Sequence, residues 1–185
     1  MRWSKRKPNP RWPAGIPKPC IPIKAETAPS GPHWLHEIKH DGYRLMVARE
    51  GGTVRVITRG GYDWTERYPA IVAAALRLPS RRFVIDGEGV VEGEGGLADF
   101  GLLHSRRHDQ ACHLVGFDLL TMGKRDLRPM PLAMRKALLA ELLDGSKGGI
   151  VYADHVEGEG AEIFAAAARL GCEGIVSKRA DRPYT

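Results

Sequence analysis

The sequence predicts an α+β fold with antiparallel sheets flanked by helices, and three observations carry that prediction. Strand-like runs near 33–38, 43–49 and 53–59 are separated only by tight glycine turns, at Gly42 and at Gly51-Gly52. Connections that short join antiparallel neighbours. Helix-like runs near 66–78, 97–106, 131–143 and 160–170 come later, mixed with strand-like runs near 82–91, 112–120, 149–153 and 174–179. Strict β-α-β alternation is absent, so a Rossmann sheet is disfavoured and helices outside antiparallel pairs are favoured.

Taken in order, the elements have these grounds. Asp41-Gly42 lies between two apolar-rich runs, which is a hairpin signal. It predicts a hairpin of 33–38 with 43–48 and puts Lys39 at its mouth. Thr53 to Thr58 reads Thr-Val-Arg-Val-Ile-Thr, a strand pattern. Phe83-Val84-Ile85 and Val90-Val91 make one apolar strand, interrupted by Asp86-Gly87-Glu88. A further strand starts near His113 and ends in Phe117-Asp118-Leu119-Leu120. Pro131 suits the first turn of a helix, while Gly145 and Gly171 suit helix exits. Glu92 to Gly96 is Gly-rich but acidic; it would repel phosphates and reads as a plain turn.

Composition narrows the function classes. With 43% hydrophobic and 27% charged residues in 185, the chain is an ordinary globular sequence with room for one sizeable core. No apolar run is long enough to span a bilayer, and the first residues lack the apolar segment of a secretory signal. Cys20, Cys112 and Cys172 are odd in number and far apart, which disfavours a disulfide framework or structural zinc and fits a reducing cytoplasm. His33, His36, His40, His104 and His108 have no cysteine or carboxylate at a recognised ligand spacing. A Gly-x-x-x-x-Gly-Lys-Ser/Thr loop is absent, which excludes a P-loop NTPase.

The net charge of +6 is localised. Residues 1–32 hold seven Lys/Arg against Glu26 alone, while the remaining residues carry 21 of each sign. The same 1–32 stretch holds eight of the 13 prolines, so it reads as an extended basic arm preceding a domain over 33–185. Two readings of the arm stand. Lys5, Arg6 and Lys7 neutralise nucleic-acid phosphates, or the arm is a solvated tail.

Charges set into apolar strands are costly unless paired, exposed or functional. Asp86 and Glu88, two apart, share a strand face and suit a hard cation or sugar hydroxyls. Lys39, Asp41 and Arg44 stand around Gly42. Arg59 follows a strand and precedes Gly60-Gly61. Glu173-Gly174-Ile175-Val176-Ser177-Lys178-Arg179 carries charge at both ends. Taken singly, each has a plain alternative: a turn, a core aromatic at Phe117, a solvated strand edge.

Together the segments resemble the covalent nucleotidyltransferase superfamily of ATP-dependent DNA ligases, RNA ligases and capping enzymes. Lys39 to Arg44 matches its Lys-x-Asp-Gly-x-Arg motif, and Thr58-Arg59-Gly60-Gly61 resembles the next motif in bacterial ATP-dependent DNA ligases. Asp86-Gly87-Glu88, Phe117-Asp118-Leu119-Leu120 and the 173–179 segment match three more, in order. The resemblance implies the ligase catalytic fold and a lysine–AMP intermediate on Lys39, made from ATP and passed to a 5′-phosphate at a nick. It implies nucleotide contacts from Glu37, Ile38, Arg44, Arg59, Glu88, Phe117, Glu173 and Lys178, with the backbone of Glu37 and Ile38 at the adenine edge and Phe117 stacked on the base. It further implies a Mg²⁺ or Mn²⁺ ion near Asp86 and Glu173, and DNA contacts from Arg59. The implied partner is nicked double-stranded DNA. The implied protein is a monomer in the bacterial cytoplasm, at the nucleoid, with repair proteins as further partners. Nearby cations such as Arg44 and Lys178, together with burial, would favour the neutral amine that a nucleophile requires. The alternatives are an RNA ligase, a GTP-using capping-type transferase and a non-catalytic nucleotide- or DNA-binding module.

The superfamily pattern continues with a Lys-x-Lys strand and an oligonucleotide-binding barrel. Neither follows Arg179 within the 185 residues. The expectation is weak ATP binding, slow or undetectable self-adenylation and no complete nick sealing by this stretch alone.

Overall fold

A computed structural model describes residues 11–146 and 148–185. Among the described residues, eight strands and four α-helices run in the order β1 (Trp34–Ile38), β2 (Tyr43–Glu50), β3 (Thr53–Thr58), α1 (Pro69–Arg77), β4 (Arg82–Val90), α2 (Phe100–His104), β5 (His113–Met122), β6 (Arg125–Asp126), α3 (Leu132–Leu143), β7 (Ile150–Tyr152), α4 (Gly160–Arg169) and β8 (Ile175–Arg179). The architecture is α+β, as the sequence predicts.

The strands form two sheets. The larger has the order β3-β2-β4-β5-β6, antiparallel throughout, with β7 added parallel to β5. The smaller is β1 paired antiparallel with β8, in a register that puts Glu37 opposite Val176 and Ile38 opposite Ile175. The predicted hairpin of 33–38 with 43–48 is therefore not formed. β1 pairs with the C-terminal strand and β2 with β3 and β4, so residues 39–42 cross from one sheet to the other. The Asp-Gly signal is local, and the tertiary pairing of β1 with β8 overrides it. Gly42 serves a close approach instead of a tight turn: a Cβ there would lie 2.3 Å from the carbonyl oxygen of Gly89. The β2–β3 connection is the hairpin expected, with Gly51 at φ 62°.

The large sheet is buried on both faces. Leu45, Val47, Phe83 and Ile85 face the main core under α1 and α3, while the intervening Met46 and Val84 join Ile57 and Leu120 in a second cluster. This alternation is the period of two expected of strands. Trp12 and Ile16 cover that second cluster. The described part of the 1–32 stretch has no helix or strand and turns at 14–15, and at Trp12 and Ile16 it lies against the body. Ser30 accepts a hydrogen bond from the Gly160 amide at the start of α4 (3.0 Å).

Helix lengths differ modestly from the sequence reading. The 66–78 run opens as a 3₁₀ turn at Thr65–Arg67, and α1 begins only at Pro69, where a missing N–H costs nothing. The 97–106 run shortens to Phe100–His104, because Ala98 is bridged to Glu92 and Asp99 caps the helix by accepting from the Leu102 amide (3.0 Å). The two-residue β6 was not foreseen.

Candidate active site

A cleft of about 720 Å³ opens where the two sheets meet. β1 brings Glu37 and Ile38 to it, and the crossover brings Lys39. β2 and β4 bring Arg44 and Glu88, which face each other across the ladder. Arg59 enters from the end of β3, Phe117 from β5, Glu173 from the loop before β8, and Lys178 from β8 itself. Segments scattered from residue 37 to residue 178 thus line one cavity. Lys5, Arg6 and Lys7 lie outside the described residues.

Lys39 stands at the mouth, ion-paired with Glu173, and both side chains are close to half exposed (46% and 44%). The burial expected around this amine is not present, because the crossover carries it past the edge of the sheet. Its closest partner is a carboxylate, not a cation. Arg44 is turned away, toward Asp86: its Nε and Nη2 donate to the two oxygens of Asp86 at 2.6 and 2.8 Å. Burial opposes the charged guanidinium, but the hydrogen bonds and charge of Asp86 more than offset this and raise its proton affinity.

The expected pairing of Asp86 with Glu173 around a metal is not assembled. Asp86 is fully buried and does not line the cleft. Its oxygens are taken by Arg44 and by the Tyr184 hydroxyl, which donates to Oδ2 at 2.5 Å. Among the described residues no group of three or more His, Cys, Asp or Glu is placed to hold a metal.

The platform at Phe117 carries two cations. Lys178 Nζ lies 4.0 Å and Arg44 Cζ 4.5 Å from the ring centroid. Lys178 is also ion-paired with the buried carboxylate of Glu37, whose other oxygen accepts from Lys136 (2.6 Å). The Glu37 side chain is therefore engaged within the protein, which the sequence reading, concerned only with its backbone, did not anticipate. Burial lowers the proton affinity of Lys136, and Glu37 opposes that shift. Lys136 also donates to the Ala153 carbonyl (2.9 Å). Arg59 is exposed at the rim, its amide donating to the Arg44 carbonyl (3.0 Å).

Burial, reinforced by the charge of Asp86, pushes Glu88 up to about 7, against the pull of Arg44, Lys39 and Arg59. A carboxyl with a raised folded-state value contributes stability that is fully present below its unfolded value and lost as pH rises through about 7. Urea unfolding should show the difference between wild type and Glu88→Gln growing from pH 4.5 to pH 7.5, to roughly 2–3 kcal/mol. A pH-independent difference contradicts this assignment.

Lys136 and Arg135 were missed. They sit side by side on α3, buried to 1% and 2% exposure, on the face that carries Leu132, Leu139 and Leu143. Arg135 donates to both oxygens of Asp118, at 2.7 and 2.9 Å. The signal available was spacing: 132, 135, 136, 139 and 143 form an inward helical stripe. Charges on such a stripe require buried partners.

The profile of the ATP dependent DNA ligase domain matches residues 18–185. The chain belongs to the ATP-dependent DNA ligase family. It corresponds to the family's adenylation domain. It is 36% identical over 184 residues to the multifunctional non-homologous end joining protein LigD of Pseudomonas aeruginosa, covering 97% of this chain and 21% of that protein. It is 33% identical over 191 residues to a probable DNA ligase of Streptomyces coelicolor, covering 92% of this chain and 37% of the relative. The chain thus spans between a fifth and two fifths of these relatives' length. The solved mycobacterial DNA ligase D complexed with ATP and MES superposes with a TM-score of 0.79 at 32% identity, over 90% of this chain and 55% of that one.

Proposed function

We propose that this domain forms a covalent lysine–AMP intermediate on Lys39 for delivery to a 5′-phosphate at a DNA nick. The observation that carries the proposal is the cleft itself, with a half-exposed amine at its mouth, an aromatic ring and two cations within, and an arginine at its rim. For the chemistry, the Lys39–Glu173 ion pair opens and the ammonium gives up one proton to solvent water. The nitrogen then bonds to the α-phosphorus of ATP as the bond to the departing pyrophosphate breaks. Arg44 and Glu88 hold the ribose, and Phe117 takes the base once Lys178 leaves the ring face it covers. Lys178 and Arg59 meet phosphate oxygens. For a divalent ion, Glu173 fits as one carboxylate ligand, with phosphate oxygens and water completing the shell as Mg²⁺ prefers; Asp86 does not fit, its oxygens being in use. The ion would neutralise charge on the reacting phosphate.

Incubation with labelled ATP or GTP tests the reading, with magnesium or manganese and with the family's following Lys-x-Lys segment supplied as a longer chain. Label from ATP and none from GTP is expected. Label from GTP favours a capping-type transferase, and no label from either overturns the enzyme reading.

The basic N-terminal arm is proposed to add sequence-independent DNA affinity. Trp12 and Ile16 are packed on the body, so the informative deletion is residues 1–10 alone. It should weaken duplex binding and flatten the dependence of log Kd on log salt, because fewer phosphates are neutralised. An unchanged slope supports the solvated tail.

A further inference from the structure

The segment 180–185 forms a strap whose residues 182–185 line the cleft, and it is tied down at several points. The amides of Leu132 and Ala133, at the start of α3, donate to the carbonyls of Arg182 and Ala180 (3.0 and 2.9 Å). Arg135 also donates to the Arg182 carbonyl (3.2 Å). Within the strap, the Tyr184 amide donates to the Arg128 carbonyl (2.9 Å) and the Tyr184 ring lies 5.8 Å from the Arg135 guanidinium. Its hydroxyl donates to Asp86 Oδ2 and accepts from the Cys20 amide (2.8 Å). Burial, then the charge of Asp86, raises the proton affinity of that hydroxyl, so it stays a donor at neutral pH.

Arg44 closes the circuit. Nε donates to Asp86, and Nη2 to Asp86 and to the Cys20 carbonyl (3.1 Å). No described residue accepts from Nη1. The guanidinium is planar, so fixing two of its nitrogens fixes the third. One NH₂ edge is left for a ligand, held over the Phe117 ring.

We propose that Tyr184 is a positioning residue for Arg44: through Asp86 and Cys20 it sets the plane of the guanidinium, and so the direction of the free Nη1 edge that receives the nucleotide. The inference rests on reading the cleft as a nucleotide site. Asp86 has the same duty and serves as the anchor of the arginine instead of a metal ligand. The strap is coupled to substrate through one hydroxyl, and Tyr184→Phe removes that hydroxyl while keeping the ring against Arg135.

Two measurements on the 185-residue chain test it, made below the melting transition of each variant. In AMP titrations, Tyr184→Phe should bind about tenfold more weakly, the size expected for a hydrogen bond to a charged group. Arg44→Ala should bind more weakly still, and the double variant no more weakly than Arg44→Ala alone, because Tyr184 acts only through Arg44. In ¹⁵N-arginine NMR, hydrogen exchange at Arg44 Nε should quicken about tenfold in Tyr184→Phe without any ligand. Unchanged AMP affinity in Tyr184→Phe, penalties that multiply in the double variant, or unchanged Nε exchange each overturn the proposal. If the wild type binds no AMP, the nucleotide reading fails, and the exchange rate alone decides whether Tyr184 holds Arg44.

Discussion

Lys39→Ala should take up no adenylate at all under conditions where the wild-type sequence, extended through the following Lys-x-Lys segment, becomes one AMP heavier by intact mass. Three amines are near enough to matter. Lys136 is 1% exposed and bound to Glu37 and the Ala153 carbonyl, so it cannot reach a phosphorus. Lys178 is held by Glu37 over the Phe117 ring. Of the three, Lys39 alone combines near-half exposure with a partner, Glu173, that is itself close to half exposed. Lys178→Ala should therefore slow labelling by about tenfold to a hundredfold through lost charge stabilisation, yet still give a labelled protein. Labelling of Lys39→Ala at a rate near that of Lys178→Ala would mean that the nucleophile has been misassigned.

That ranking of three lysines was only partly legible in the sequence. Lys39 was legible only in company: a lysine, an aspartate and an arginine around a glycine read, taken alone, as a turn with solvated charges, and the ordered partners further along the chain changed that reading. Arg59, Glu88, Phe117 and Lys178 were legible in the same way, as members of an ordered set of charges and one aromatic ring within or beside otherwise apolar strands. Their convergence follows from a sheet in which β2, β4 and β5 are adjacent. What the sequence concealed was pairing at long range. Asp41-Gly42 carries a strong local signal for a hairpin, yet β1 finds its partner some 140 residues away in β8. Local turn chemistry holds no information about such a choice. The same holds for Asp86: two carboxylates on one strand face look like a cation site until Arg44 and Tyr184 arrive from elsewhere and occupy one of them. The α3 cations were concealed differently. Their helical spacing was readable, but a lysine or arginine within an apolar stripe turns outward as readily as inward until a buried carboxylate is known to face it.

Arg135→Met should be the most destabilising single change among these charged residues, by about 3–5 kcal/mol. Asp118 is 4% exposed on β5, and both of its oxygens are satisfied by this one guanidinium. Removing the arginine leaves a buried carboxylate without its bonded counter-ion. It also strips the Met130 and Arg182 carbonyls of their Arg135 donor (2.5 and 3.2 Å), loosening the strap. The penalty depends on pH with a definite sign. Burial already raises the proton affinity of Asp118 while Arg135 opposes it. Without Arg135 the rise is unopposed by its closest cation, so the folded variant takes up a proton more readily than the unfolded chain. The stability of Arg135→Met should then recover on acidification and fall as pH rises through the new folded-state value. In urea denaturation the gap from wild type should narrow between pH 7 and pH 5. Arg135→Met with Asp118→Asn should regain much of the loss at pH 7, since a neutral amide is far cheaper to bury than an unpaired charge. A gap that neither narrows with acid nor closes in the double variant would mean that Arg135 stabilises the fold through its packed stem and its carbonyl bonds, with the ion pair contributing little.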